Sequence, residues 1–141
     1  MSEIDIIVKL LIAMVLGGLI GYCREIERKA AGLRTHILVT MGAALLMAVS
    51  IYIGTSFKGA DAGRIAAAVV TGIGFIGAGA IIRERGEVRG ITTAASIWIC
   101  AAIGLTIGAD LYIAAVTATI ITLIVLEILR YIEKKYFKKG I

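Results

Sequence analysis

Apolar residues fill this chain in five long runs separated by short polar stretches: Ile4–Tyr22, Ile37–Phe57, Ala62–Ile82, Ile91–Ile107 and Leu111–Leu129. A helix needs about 20 predominantly apolar residues to cross the hydrocarbon of a bilayer, with roughly 17–25 observed. Each run therefore predicts a membrane-spanning helix. Only Gly108-Ala109-Asp110 separates the fourth from the fifth, which predicts a tight helical hairpin.

The runs are related. Gly17 to Leu45 and Gly77 to Leu105 share one pattern: a Gly/Ala-rich apolar segment, an Arg-Glu pair (Arg24-Glu25, Arg83-Glu84), then a Gly-aliphatic-x-Thr element (Gly32 to Thr35, Gly90 to Thr93) opening a second apolar segment. Both hairpins leave and re-enter the membrane on the same side, so they form a parallel repeat. The expected fold is an all-α polytopic membrane protein of five transmembrane helices, two repeated hairpins plus a C-terminal helix, in a single domain over 1–141 with a basic tail at 130–141.

Composition and charge sharpen this picture. The chain is 60% hydrophobic and 18% charged, against roughly 25% charged for soluble domains. Of the 15 basic residues, all but Lys9, Lys58 and Arg64 fall in the first loop, the third loop or the C-terminal tail. The positive-inside rule then puts both repeat loops and the C-terminus in the cytoplasm and the N-terminus outside. The first run lacks signal-peptide order and reads as a retained anchor. The tail Tyr131–Lys139 mixes lysines with aromatic residues, which suits anionic lipid headgroups. That membrane role accounts for the basic balance without nucleic acid.

Helices in lipid associate through small residues that let backbones approach. The first run carries Ala13, Gly17 and Gly21 at four-residue spacing, and the fourth carries Ser96, Cys100, Gly104 and Gly108. In the third, Gly72 and Gly79 share one helical face while Gly74 and Gly77 lie nearly opposite. A helix thin on two faces is expected between neighbours, at the centre of the bundle. Gly72 to Gly77 also matches the glycine spacing of a dinucleotide fingerprint, but that motif needs a strand before it and a turn within it. Packing glycine is the better reading.

Two polar groupings are candidate sites. At the outer face, Asp5, Lys9, Asp61 and Arg64 form either interfacial anchors or an ion-paired mouth, with Asp61 also placed to cap the third helix. At the inner face, Arg24, Glu25, Arg34, Arg83, Glu84 and Arg89 are expected to converge, beside hydroxyls from Thr35, Thr92 and Thr93. Glu127 and Arg130 suit a helix-end salt bridge. His36, where a loop becomes a helix, suits a capping or interfacial role. Cys23 and Cys100 show neither metal-ligand spacing nor a disulfide framework. No nucleophile with its base or phosphate-cradling loop is present, so enzymatic activity and a bound cofactor are not expected. The acids are too scattered to make an evident intramembrane magnesium cage.

Gly32-Leu33-Arg34-Thr35-His36, Thr71 through Gly79 (TGIGFIGAG) and Val88 through Ala95 (VRGITTAA), followed by Trp98, resemble the MgtC/SapB family of bacterial inner-membrane proteins. The resemblance runs from about Lys9 to Thr122 and is to the short form without a soluble C-terminal domain. It departs at Cys23, where the family has an acid before Arg-Glu, and at Ala68, where it commonly has glutamine. Ion handling that rests on either group does not carry over. The resemblance implies a link to growth at low magnesium, to survival inside host cells, and to modulation of membrane machinery including the ATP synthase and membrane potential. Two functions follow as expectations. One is a non-enzymatic regulator working by helix contact, for which Gly17→Leu or Gly104→Leu would abolish partner association while insertion survives. The other is a homo-oligomeric magnesium or proton transporter, with its path beside the third helix and mouths near Asp5/Arg64 and Arg34/Arg83.

Overall fold

The computed structural model describes residues 2–84, 87–132 and 135–136. Arg85, Lys134, Lys138 and Lys139, counted above for charge, lie outside the described residues, as does the Glu84 side chain. Helix α1 spans Glu3–Ile26, α2 Leu33–Ser56, α3 Gly63–Gly79 and α4 Ile91–Gly108. Helix α5, Tyr112–Ile132, changes from α to π geometry over Val125–Leu129 before its last turn. The chain is an all-α polytopic membrane protein. Helices α1, α2, α4 and α5 are long and apolar enough to cross a bilayer. Helix α3, at 17 residues, is about 26 Å long at 1.5 Å per residue.

Local chemistry sets the ends. Ser2 and Asp5 form a reciprocal capping box that starts α1, with Ser2 N donating to Asp5 Oδ2 at 2.7 Å and Asp5 N to Ser2 Oγ at 3.2 Å. The first loop turns at Arg28, whose φ is 54°. The third helix stops at Gly79 rather than continuing to Ile82, because Ile82–Glu84 forms strand β1 and pairs antiparallel with β2, Glu87–Arg89. Gly90 closes this hairpin with a φ of 92°, and a Cβ there would collide with the Ala80 carbonyl. Only glycine fits both demands.

Helices α2 and α4 pack face to face in the middle, with α1 against both. One buried cluster joins Ala13, Leu16, Ile20, Ala44, Cys100, Ile103, Ile107 and Ala115 across α1, α2, α4 and α5. A second joins Ala43, Ile73, Ile97 and Ala101 across α2, α3 and α4. Phe75 and Ile113 are exposed at 80% and 86%, as lipid-facing residues should be.

The expectation of a central third helix fails. Only Ile73 and Gly77 of α3 are buried. Gly77 meets Ala94, whereas a Cβ on Gly72, Gly74 or Gly79 would meet nothing within 4 Å. Helix α3 lies at the edge, because the stripes on α1 and α4 draw those helices onto α2 first.

Candidate functional site

The small-residue stripes are consumed inside the chain. A Cβ on Gly17 would sit 2.5 Å from Thr40 Oγ1 and one on Gly21 2.8 Å from the Leu33 Cα. One on Gly104 would strike the Thr40 carbonyl, and one on Gly108 would lie 2.6 Å from the Ala44 carbonyl. Helices α1 and α4 therefore both reach α2 at backbone contact, and they meet it together around Thr40. Gly17 and Gly104 are fold positions and are not free to face a partner. This corrects their assignment as partner-contact positions.

At one face of the bundle, Lys9 is buried at 2% exposure. Its Nζ donates to Gly108 O at 2.9 Å and to Asp110 Oδ2 at 2.9 Å. Asp110 sits in the α4–α5 turn with a φ of 63° and accepts from the Tyr112 hydroxyl at 2.8 Å. The hydrogen bonds from Lys9 and then from Tyr112 hold its carboxyl below the usual carboxylate range. The predicted grouping of Asp5, Lys9, Asp61 and Arg64 does not assemble through direct contacts. Asp5 serves its own helix end, Asp61 Oδ1 accepts from Gly63 N at 2.7 Å, and Arg64 is exposed. Lys9 instead reaches an acid about 100 residues away, which local spacing could not indicate.

At the opposite face, Arg24 is buried at 2% exposure. It donates Nη1 to Glu27 Oε2 at 3.1 Å and Nη2 to Thr93 Oγ1 at 3.0 Å. Glu27 is also ion-paired with Arg130, which in turn donates to Glu127 at 2.7 Å. The Arg24 Nε is buried without a hydrogen-bond partner among the described residues. Leaving such a donor unsatisfied costs roughly 1–3 kcal/mol.

A second polar line runs inward from Thr93. His36 is fully buried, with Nδ1 2.8 Å from Gly32 O and Nε2 2.9 Å from Ser96 Oγ. A carbonyl only accepts, so Nδ1 carries a hydrogen. In the neutral ring, Ser96 donates to Nε2. In the cation, Nε2–H donates and Ser96 turns its hydrogen onto Thr93 O, 2.8 Å away. His36 thus joins α2 to α4 in the interior, beyond a capping role.

The other members whose side chains are described split up: Thr92 lines the same cavity as Arg24 and Thr93, while Glu25, Arg34 and Thr35 line a separate one. Glu25 Oε2 accepts from Leu33 N at 2.9 Å and caps α2. Arg89 pairs with Glu87 at 2.8 Å, while Arg34, Arg83 and Thr92 are exposed and Thr35 is half-buried. Glu27 and His36 were the residues that sequence position undervalued. The signal for Glu27 was its place three residues after Arg24 on one helix face.

Between the two polar faces lies a mainly apolar layer of Ala13, Leu16, Ala44, Cys100, Ile103 and Ile107, in which Thr40 and Thr119 donate to the His36 and Ala115 carbonyls of their own helices. Beside it, α2 and α3 enclose an apolar groove of ≈ 550 Å³ whose walls include Gly42, Gly72, Leu46 and Ile76.

The sequence profile of the MgtC family matches residues 10–135. YhiD of Escherichia coli (strain K12), whose name proposes magnesium transport, is 43% identical over 96% of this chain and 66% of its own length. Protein MgtC of Salmonella typhimurium (strain LT2) is 47% identical over 83% of this chain and 49% of its own. Protein MgtC of Brucella abortus is 44% identical over 84% and 48%. The chain thus spans about two thirds of YhiD and about half of the MgtC proteins. No solved structure is significantly similar to it.

Proposed function

Because the chain belongs to the MgtC family, we propose that it is a non-enzymatic inner-membrane regulator linked to adaptation to scarce magnesium, acting on other membrane machinery by helix–helix contact. Its arginine-bearing loops face the cytoplasm in this reading, in keeping with their charge. The ATP synthase and the systems that set membrane potential, implied by the family resemblance, are the candidate targets.

One observation carries the reading. The charged groups stop at each face, the buried hydroxyls of Thr40 and Thr119 between them are spent on the His36 and Ala115 carbonyls, and the rest of that layer is close-packed from Ala13 to Ile107. Magnesium sheds its water reluctantly and needs several oxygen ligands along its way. A layer of close-packed apolar side chains, whose few hydroxyls are bonded to their own helix carbonyls, offers it no such path. Transport, the activity in YhiD's name, would have to run between copies of the chain.

The groove between α2 and α3 supports contact instead. Its glycines leave a thin wall on which a partner helix can seat at backbone distance, and Gly74 and Gly79 continue the open surface around α3.

Purified protein in sealed vesicles, loaded with a magnesium- or pH-sensitive dye, tests the proposal. No flux is expected. Capture of membrane partners by Gly72→Leu protein should fall to background, while the variant stays folded because nothing lies within 4 Å of that Cβ position. Protein-dependent flux, or undiminished capture by the variant, would reject the regulator reading.

A further inference from the structure

Helices α1 and α3 carry opposite charges at one face of the bundle and opposite relief below it. Gly21 of α1 approaches Leu33 at the start of α2, and Gly54, near the end of α2, approaches Ala62 just before α3. The first residues of α1 and α3 therefore share the face that holds Lys9 and Asp110. There α1 begins with Glu3 and Asp5, while Lys58 and Arg64 flank the start of α3. All four are exposed. Asp5 serves its own helix end, and Glu3, Lys58 and Arg64 have no side-chain hydrogen bond or ion pair among the described residues. Along α1, Ile4, Val8, Leu11, Val15, Leu19 and Tyr22 recur every three or four residues and form one ridge. Each is between 45% and 71% exposed. Helix α3 has the reverse shape, since Ala68 and Gly72 leave a thin wall in the groove of ≈ 550 Å³ that it shares with α2. No α1 residue lines that groove, so ridge and groove do not meet within one molecule.

We propose that a second copy of the chain docks here, its α1 ridge seated in the α2–α3 groove and its Glu3 and Asp5 set against Lys58 and Arg64. Charge selects this occupant, because two carboxylates at the head of α1 meet two cations at the head of α3. Both helices start at the same face, so a rotation about the membrane normal, which preserves depth, brings these groups level. Val8 and Ala68 each lie five residues beyond the first residue of their helix, about 7.5 Å along it. They mark one depth on the two surfaces. The alanine and glycine of α3 let the incoming ridge approach its backbone, which is what holds helices together in lipid. The contact joins two different surfaces, so it runs head to tail and either closes into a ring or continues as a row. The inference rests on the groove of the regulator reading and names an occupant for it; a foreign helix would have to displace a copy of α1.

Disulfide cross-linking in isolated membranes tests the docking. Two differently tagged chains, both Cys23→Ser and Cys100→Ala, are co-expressed, one with Val8→Cys and the other with Ala68→Cys, then treated with a mild oxidant. Each chain has a single thiol, so any disulfide joins two copies. A band carrying both tags is expected. Ile113→Cys, at a residue 86% exposed on α5, should give none with Ala68→Cys. Arg64→Glu in the Ala68→Cys chain should lower the yield about threefold, the scale of an exposed ion pair. Glu3→Arg in the Val8→Cys chain should then restore it. Absence of the mixed band, an equal band with Ile113→Cys, or a yield indifferent to Arg64→Glu would overturn the proposal. A missing band beside intact capture of foreign membrane partners sinks the docking and leaves the regulator reading standing. A mixed band without such capture does the reverse.

Discussion

Lys9 shows how one residue's role depends on its distant neighbours. Its spacing from Asp5 suggested a pair on a single helix face, yet its ammonium faces Asp110 across the bundle. The folded-state value of Asp110 is lowered, so the pair's contribution is full above the ordinary carboxylate range and fades as pH falls through the lowered value. The melting temperature in detergent should therefore hold steady from pH 7 to about 5 and drop in stronger acid. Asp110→Asn should melt lower than wild type at pH 7, and the difference should shrink as pH falls toward 3. Melting curves that run parallel across that range would remove Asp110 as the acid-sensitive partner.

Arg24 belongs to the same scale. Its repeat position marked it as part of a charged loop region, but the chain gave no local sign that it would be buried and Arg83 exposed. The difference lies in what each meets. Arg24 ends a long helix beside Thr93 and Glu27, whereas Arg83 sits on a two-stranded hairpin that leaves the bundle. Removing Arg24 as Arg24→Ala would leave Glu27 with Arg130 as its remaining cation and Thr93 Oγ1 without its donor, a change costing about 1.5–3 kcal/mol. Chemical unfolding in detergent checks this, and a loss below about 1 kcal/mol would place Arg24 in solvent.

Among the elements, the helices themselves were readable from hydropathy, and α1, α2, α4 and α5 begin and end within a few residues of expectation. Helix α3 was readable too, apart from its last three residues, but its place at the edge and the hairpin after it were not. Short strands carry little periodic signal, and the same Ile82 that extends an apolar run also pairs with Arg89. The glycine stripes were legible as packing surfaces but not as to whose. A pair of variants separates the two kinds. Gly104→Ala forces a Cβ against the Thr40 carbonyl and Ala43, and should destabilise by about 3 kcal/mol, the upper end of ordinary overpacking. Gly74→Ala sits in open space on a regular helix and should stabilise by about 0.4–1 kcal/mol. Equal effects of the two would mean that α3 and α4 exchange roles in the membrane.

For the whole molecule, the alternation of loops between two faces follows from the spans and their charges. Lys9 beside Gly108, and Arg130 beside Glu27, put the ends of α1, α4 and α5 together as an odd-numbered bundle requires. Its orientation is open to labelling. In a Cys23→Ser, Cys100→Ala background, a membrane-impermeant thiol reagent should reach Lys58→Cys in sealed spheroplasts and Arg28→Cys only after lysis. The reverse pattern would invert the proposed topology.

Hydropathy was enough to establish a multi-pass helical membrane protein, and the motifs Gly32–His36, Thr71–Gly79 and Val88–Ala95 were enough to point to its family, since each depends only on residue type and local distance along the chain. The tertiary structure decided which helix is central, which glycines are spent on the fold, and which ions pair. Those outcomes depend on contacts between residues as far apart as Lys9 and Asp110 or Arg24 and Thr93. The spacing of nearby residues carries no information about such distant encounters, because in lipid they are settled by which backbones can approach most closely.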